Sequence, residues 1–177
     1  NKKKLYEWKL PAVEANLYPP KISEELISSI IGDYENNRKI IYEDKGRFEA
    51  PNWMPDGNSL LFNQGGSIYT LPITGGTATM LNTGTVKRNN NDHVISFDGK
   101  MLGISSHRDG MSGGGSTIYY LPLTGGEPKI VTDSTPSYLH GWSKDGKEVV
   151  YTAQRISKSP VYNIYKKPID GGPEVQL

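Results

Sequence analysis

The segment Ser67-Ile68-Tyr69-Thr70-Leu71-Pro72-Ile73-Thr74-Gly75-Gly76 is written three times in this chain. It returns as Thr117-Ile118-Tyr119-Tyr120-Leu121-Pro122-Leu123-Thr124-Gly125-Gly126 and, more weakly, as Asn163-Ile164-Tyr165-Lys166-Lys167-Pro168-Ile169-Asp170-Gly171-Gly172. A second signature precedes each copy: Trp53-Met54-Pro55-Asp56-Gly57, Ile95-Ser96-Phe97-Asp98-Gly99 and Trp142-Ser143-Lys144-Asp145-Gly146. The Asp-Gly pairs stand 42 and 47 residues apart, and the Gly-Gly pairs 50 and 46. A period of that length filled with short strands marks a repeat architecture, and four strands per period make a propeller blade. The chain therefore reads as all-β, a β-propeller of four-stranded antiparallel blades.

Each unit has the same internal order. An inner strand runs up to the Trp53, Ile95 or Trp142 position and ends in the Asp-Gly turn. A second strand follows, then a third carrying Ile-Tyr, and the Gly-Gly pair makes a tight hairpin to the outermost strand. In the turns Asp56, Asp98 and Asp145 bond their own backbone, while Gly57, Gly99 and Gly146 take positive φ. Trp53, Ile95 and Trp142 are expected to be buried at equivalent places of successive sheets, with the Ile of Ile-Tyr in the interface between blades. The units span about 46–82, 88–132 and 136–177, and Lys39-Ile40-Ile41-Tyr42 has the place of the last strand of a preceding unit. Closed propellers use about four to eight blades. The sequence thus reads as part of a propeller; the alternative is a four-unit ring in which residues 1–37 supply degenerate strands. An open ring leaves unpaired edges and a bare blade face, which invite self-association.

Residues 1–37 form an extension outside the repeat. Ser23-Glu24-Glu25-Leu26-Ile27-Ser28-Ser29-Ile30-Ile31-Gly32 predicts a short helix. Ser23 is its N-cap, the two Glu favour the positive end of the dipole, and Gly32 is its stop. Leu26, Ile27, Ile30 and Ile31 share one face.

Composition removes several function classes. Twenty basic and nineteen acidic residues leave a net charge of +1, without a field to recruit nucleic acid. The chain has no cysteine, so a disulfide framework, a thiol nucleophile and a Cys-based metal site are excluded. No apolar stretch is long enough to span a membrane. The chain carries no signal peptide and starts at Asn1, as a processed or trimmed chain would. Gly113-Gly114-Gly115 lacks the Lys-Ser/Thr of a phosphate loop.

The paired signatures resemble the TolB-type propeller repeat, described as WD-like, whose unit is Trp-Ser-Pro-Asp-Gly-Lys, a hydrophobic strand, Ser-x-Arg, Ile-Tyr and Gly-Gly. Trp142-Ser143-Lys144-Asp145-Gly146-Lys147 with Arg155 matches it, and so does Ser96-Phe97-Asp98-Gly99-Lys100 with Arg108. Trp53-Met54-Pro55-Asp56-Gly57 keeps the Pro and lacks the Arg. The resemblance covers roughly residues 38–177. It implies a non-catalytic binding or scaffold module in an extracytoplasmic (periplasmic or secreted) compartment, with a protein or an oligosaccharide as partner. The rival class it brings is a carbohydrate-active enzyme of oligogalacturonate-lyase type, with a His-lined channel that binds a divalent metal.

His93 and His140 carry the candidate chemistry. Each stands five residues before the Asp of its Asp-Gly turn. Identical offsets in adjacent units place both at the start of an innermost strand, near one mouth of the central channel, with Asp92 beside them. Two imidazoles and a carboxylate there suit a divalent metal or an acid–base pair. The competing reading is that each His bonds backbone groups at the strand entrance. Arg108 and Arg155, each ten residues after a turn Asp, read as making an ion pair or hydrogen bond between blade and turn.

Overall fold

The computed structural model describes residues 40–111, 113–155 and 161–177. The expected helix over 23–32 lies outside the described residues, as does the rest of the extension. From Ile40 onward the chain forms three four-stranded sheets. Blade 1 holds β1 (Phe48–Trp53), β2 (Ser59–Gln64), β3 (Ser67–Pro72) and β4 (Thr79–Met80). Blade 2 holds β5 (Asn89–Ile95), β6 (Met101–His107), β7 (Ser116–Pro122) and β8 (Lys129–Ile130). Blade 3 holds β9 (Ser137–Trp142), β10 (Glu148–Ala153), β11 (Asn163–Pro168) and β12 (Val175–Gln176). Within each blade the strands pair antiparallel in chain order, and the first strands gather on one side, β5 lying against both β1 and β9. Among the described residues no helix is long and apolar enough to cross a membrane.

The turns follow from side-chain chemistry. Asp98 Oδ1 accepts from Ser96 Oγ at 2.7 Å and from Lys100 N at 3.1 Å. Asp145 Oδ1 takes the same two bonds from Ser143 Oγ and Lys147 N, at 2.6 and 3.2 Å. Ser96 and Ser143 in turn accept from Met101 N and Glu148 N, which locks the turn to the start of the second strand. These bonds to the ionised form hold both exposed carboxyls below the usual range. At the outer hairpin, Gly125 has φ of 92°, and a Cβ there would lie 2.8 Å from the Asn82 carbonyl, so the backbone approach requires glycine.

The core lies between blades. Leu61 and Ile68 of blade 1 pack on Leu102, Ile104, Leu121 and Leu123 of blade 2. Ile118 and Val131, on the opposite face of blade 2, pack on Leu139, Trp142, Val149, Tyr151 and Tyr165 of blade 3. Alternation along β6 and β7 sends successive side chains to opposite neighbours, so blade 2 is covered on both faces. Each fully buried Leu or Ile contributes about 1.5–3 kcal/mol.

Two expected burials do not hold. Trp142 is 6% exposed, yet Trp53 is 64% exposed, with Ile95 half-buried between them. The reason is directional. Trp142 reaches back to the preceding blade, where its Nε1 donates to the Val94 carbonyl at 2.9 Å. Trp53 points the same way, and among the described residues no blade precedes it. Ile68 and Ile118 are fully buried because each faces the following blade, whereas Ile164, the third copy, is 52% exposed and has no following blade among the described residues.

Arg155 is also placed differently from its sequence reading. Its partner is Glu174 beside the outermost strand, at 2.6 Å from Nε and 2.8 Å from an Nη, and not a turn residue. It also donates to Pro136 O and Ser137 Oγ, tying the exit of β10 to the entry of β9. Arg108 bonds Gly115 O through its backbone N–H at 2.9 Å.

Candidate functional site

The first strand of every blade carries a β-bulge: between Glu49 and Asn52 in β1, between Asn89 and His93 in β5, and at His140 in β9. A bulge frees residues from the ladder and re-aims their side chains. In β1 the bulge holds Ala50, the one non-glycine residue with positive φ among those described, followed by Pro51. In β5 it holds Asn90, Asn91 and Asp92, and Asn90 Oδ1 accepts from Asp92 N at 2.9 Å. In β9 the extra residue is His140, exposed, with Nε2 3.2 Å from Thr152 Oγ1.

These bulges bring Asp92 and His140 toward each other across blades 2 and 3. Partial burial raises the Asp92 carboxyl above its usual range; the electrostatic influence of nearby His140 and the Asn90 bond oppose that rise. Two residues that sequence reasoning missed complete the cluster. Tyr138, on β9, and Tyr162, ahead of β11, have ring centroids 6.1 Å apart. Burial raises the Tyr138 phenol, and the neighbouring Tyr162 and Asp92 add to that shift. Tyr138 has a sequence signal, since it lies two residues before His140 on a strand with alternating burial. Tyr162 lies outside the repeated signatures and has none. Next to Asp92, Asn89, Asn90 and Asn91 line an open depression of about 650 Å³ with Arg47, Glu49 and Gln64.

His93 does not join this cluster. It pairs with Ile104 and is 3% exposed. Its own carbonyl accepts from Asn52 Nδ2 of blade 1 at 3.3 Å. The equivalent position in blade 3, opposite Tyr151, is occupied by Leu139, because the bulge at His140 inserts one residue between it and the Asp-Gly turn. A one-residue slip sends a strand side chain to the other face, so equal spacing from the turn gives the two His opposite fates. Among the described residues no group of three or more His, Asp or Glu is arranged to hold a metal ion. Asp92 and His140 alone do not fit one.

His93 is instead a buried titratable group whose ring nitrogens make no well-aligned hydrogen bond. Burial depresses its basicity, and the nearby Leu61 and Ala50 carbonyls offset only part of that. A His whose pKa is depressed in the folded state binds a proton more readily when unfolded. Its contribution is complete above the unfolded value of about 6.5 and is lost as pH falls below it, by up to about 1.4 kcal/mol per pH unit. The expected result in denaturant melts from pH 8 to pH 5 is a fall in stability below about pH 6.5. His93→Leu, which installs the residue blade 3 already uses there, flattens that segment of the profile. An unchanged slope in the variant would assign the acid sensitivity to other groups.

No family model matches the chain. It is 43% identical over 140 residues to an uncharacterized protein of Agrobacterium fabrum, a match covering 78% of this chain and 46% of that protein. Among solved structures it is similar to a protein of Agrobacterium tumefaciens provisionally assigned as TolB, with 42% identity and a TM-score of 0.70 over 78% of this chain and 48% of the other. It is also similar to TolB from Acinetobacter baumannii, with 19% identity and a TM-score of 0.59 over 77% and 33% of the two chains, a likeness of fold alone. The chain thus spans about half the length of the Agrobacterium relatives it matches.

Proposed function

We propose that this chain, a TolB-like β-propeller, is a non-catalytic binding module that seats a polypeptide partner in an extracytoplasmic compartment. The observation that carries the reading is the polar surface raised by the bulges of β5: three consecutive asparagines line an open depression, and Asp92 continues toward His140, Tyr138 and Tyr162. Carboxamides donate and accept at once, which matches the peptide groups of an extended chain. Tyrosines bring large contact area at low entropic cost and dominate the energetics of protein interfaces. The location is carried by the resemblance to TolB proteins.

The test is cross-linking of the purified chain to proteins of a periplasmic fraction from a bacterium bearing the gene, followed by affinity measurement with the captured protein. Asn91→Ala combined with Tyr162→Ala is expected to weaken binding at least tenfold, while the melting temperature stays within a few degrees. Release of unsaturated sugars from pectate by the same chain, abolished by His140→Ala, would overturn the reading in favour of a lyase.

A further inference from the structure

Asn63 of β2 and Asn89 of β5 line the same open depression of about 650 Å³, at the seam between blades 1 and 2. Their side chains are buried, the residues being 5% and 6% exposed, and among the described residues the Oδ1 of neither has a hydrogen-bond partner. Asn89 Nδ2 donates to Gly66 O at 2.8 Å, which fixes the carboxamide with its oxygen as the unpaired end. An unmet buried acceptor is costly, so two of them in the wall of one depression call for a donor.

The seam between blades 2 and 3 shows what the same positions do when they are served. Asn63 stands opposite Ile68 as Ser105 stands opposite Ile118, so Ser105 is its counterpart. Ser105 Oγ accepts from Leu139 N at 2.9 Å. Asn89 begins β5 opposite Ser106 as Ser137 begins β9 opposite Ala153. Ser137 Oγ accepts from Arg155 Nη2 at 2.9 Å, and that guanidinium also meets the Glu174 carboxylate and the Pro136 carbonyl. Arg108 stands at the place of Arg155 in blade 2, yet no bond joins it to Asn89 Oδ1.

The depression offers an acceptor set of the kind that holds Arg155. Glu49 lines it and lies directly across the β1–β2 ladder from Asn63, so the two share one face of the sheet. One carboxylate and two carboxamide oxygens suit a flat cation with several N–H donors. A neutral hydroxyl or amide leaves the Glu49 charge unanswered, and an ammonium is a compact, strongly hydrated point charge. Glu49 is paired with Arg47 at 2.5 Å, and the Arg47 side chain is 84% exposed. Exposed pairs contribute little, so a guanidinium gripped by three acceptors displaces it.

We propose that this depression is a guanidinium pocket, filled by an arginine side chain of the bound polypeptide on Asn63 Oδ1, Asn89 Oδ1 and the Glu49 carboxylate. The pocket presupposes the polypeptide seat proposed above.

The test titrates the full chain with N-acetyl-arginine amide and follows the side-chain carboxamide resonances of Asn63 and Asn89 by NMR. Both are expected to shift saturably. N-acetyl-citrulline amide, the neutral isostere, should leave them unmoved, and N-acetyl-lysine amide with a free ε-amine should bind several times more weakly. Asn63→Ser with Asn89→Ser installs the residues that the second seam already carries. Read at the Glu49 backbone amide, this variant should bind arginine amide at least tenfold more weakly, with its melting temperature within a few degrees of the parent. Arg47→Gln, which frees Glu49, should tighten binding severalfold, an effect that loss of a merely structural arginine would not produce. Absence of a saturable shift, an equal response to citrulline amide, or undiminished binding by the serine variant overturns the proposal. The captured partner separates this pocket from the wider seat. A partner that still binds with its arginines changed to glutamine, and equally to the serine variant, removes the pocket and leaves the seat standing. Arginine-amide binding by a chain that captures no polypeptide supports the pocket and removes the seat.

Discussion

Trp142→Ala is expected to lower the unfolding free energy by about 3–5 kcal/mol, the usual cost of deleting a large buried aromatic. Three losses combine. The indole is removed from contact with Leu139 and Gly103, and glycine has no side chain that can relax into the space. The Val94 carbonyl loses the Nε1 donor it holds at 2.9 Å. The cluster joining blades 2 and 3 loses its largest member. Trp53→Ala, in the same signature, should change stability by no more than about 0.5 kcal/mol, as substitutions at exposed positions do. Denaturant melts of the two variants side by side provide the check. Equal costs would mean that the Trp position acts within its own blade and not through the blade before it.

Arg155→Ala is expected to cost about 2–3 kcal/mol. The Arg155 side chain is 14% exposed, so little water replaces what it gives up. It grips both oxygens of Glu174, donates to Pro136 O and Ser137 Oγ, and stacks near the rings of Tyr151 and Tyr165. Removal leaves Glu174 with one remaining donor, the Tyr151 hydroxyl at 2.7 Å. Arg155→Lys should recover less than half of the loss, because a point charge cannot reproduce the two-pronged contact. The guanidinium holds the Glu174 carboxyl below its usual range. This part of the stability is therefore present above pH of about 4.5 and disappears as pH falls further. Chemical denaturation at pH 7 and at pH 3.5 separates the outcomes: the variant and the parent should differ widely at the first and converge at the second. A constant difference would mean that packing of the arginine stem, and not its charge, carries the effect.

The repeat was legible because its signals are local. An Asp-Gly turn, a Ser two residues ahead of the Asp, and a Gly-Gly hairpin satisfy backbone groups within a few residues of themselves, so their spacing reports strand lengths directly. Burial of Trp53 was not legible, since it depends on a neighbouring blade and not on the blade that carries it. The candidate site was half legible. Asp92 and His140 come together, but the offset from the turn could not separate His140 from His93, because bulge position is set by the pairing partner and leaves no mark in spacing. Arg155 was legible as an ion-pair residue, while its partner Glu174 lies nineteen residues away, across a hairpin whose register spacing alone does not specify.

Because blade 2 alone has a neighbouring blade on both faces among the described residues, the three blades should not exchange their amide hydrogens at a common rate. A stack in which each unit touches only its neighbours opens from its ends, and the opening energy grows toward the unit with most shared surface. The slowest amides are expected in β6 and β7, where Leu102, Ile104 and Ile118 are fully closed to solvent. Those of β1 and β12 should exchange first. A protease acting on such transient openings would leave the middle of the three described sheets as the last resistant core, so that sheet serves as a clamp for its two neighbours.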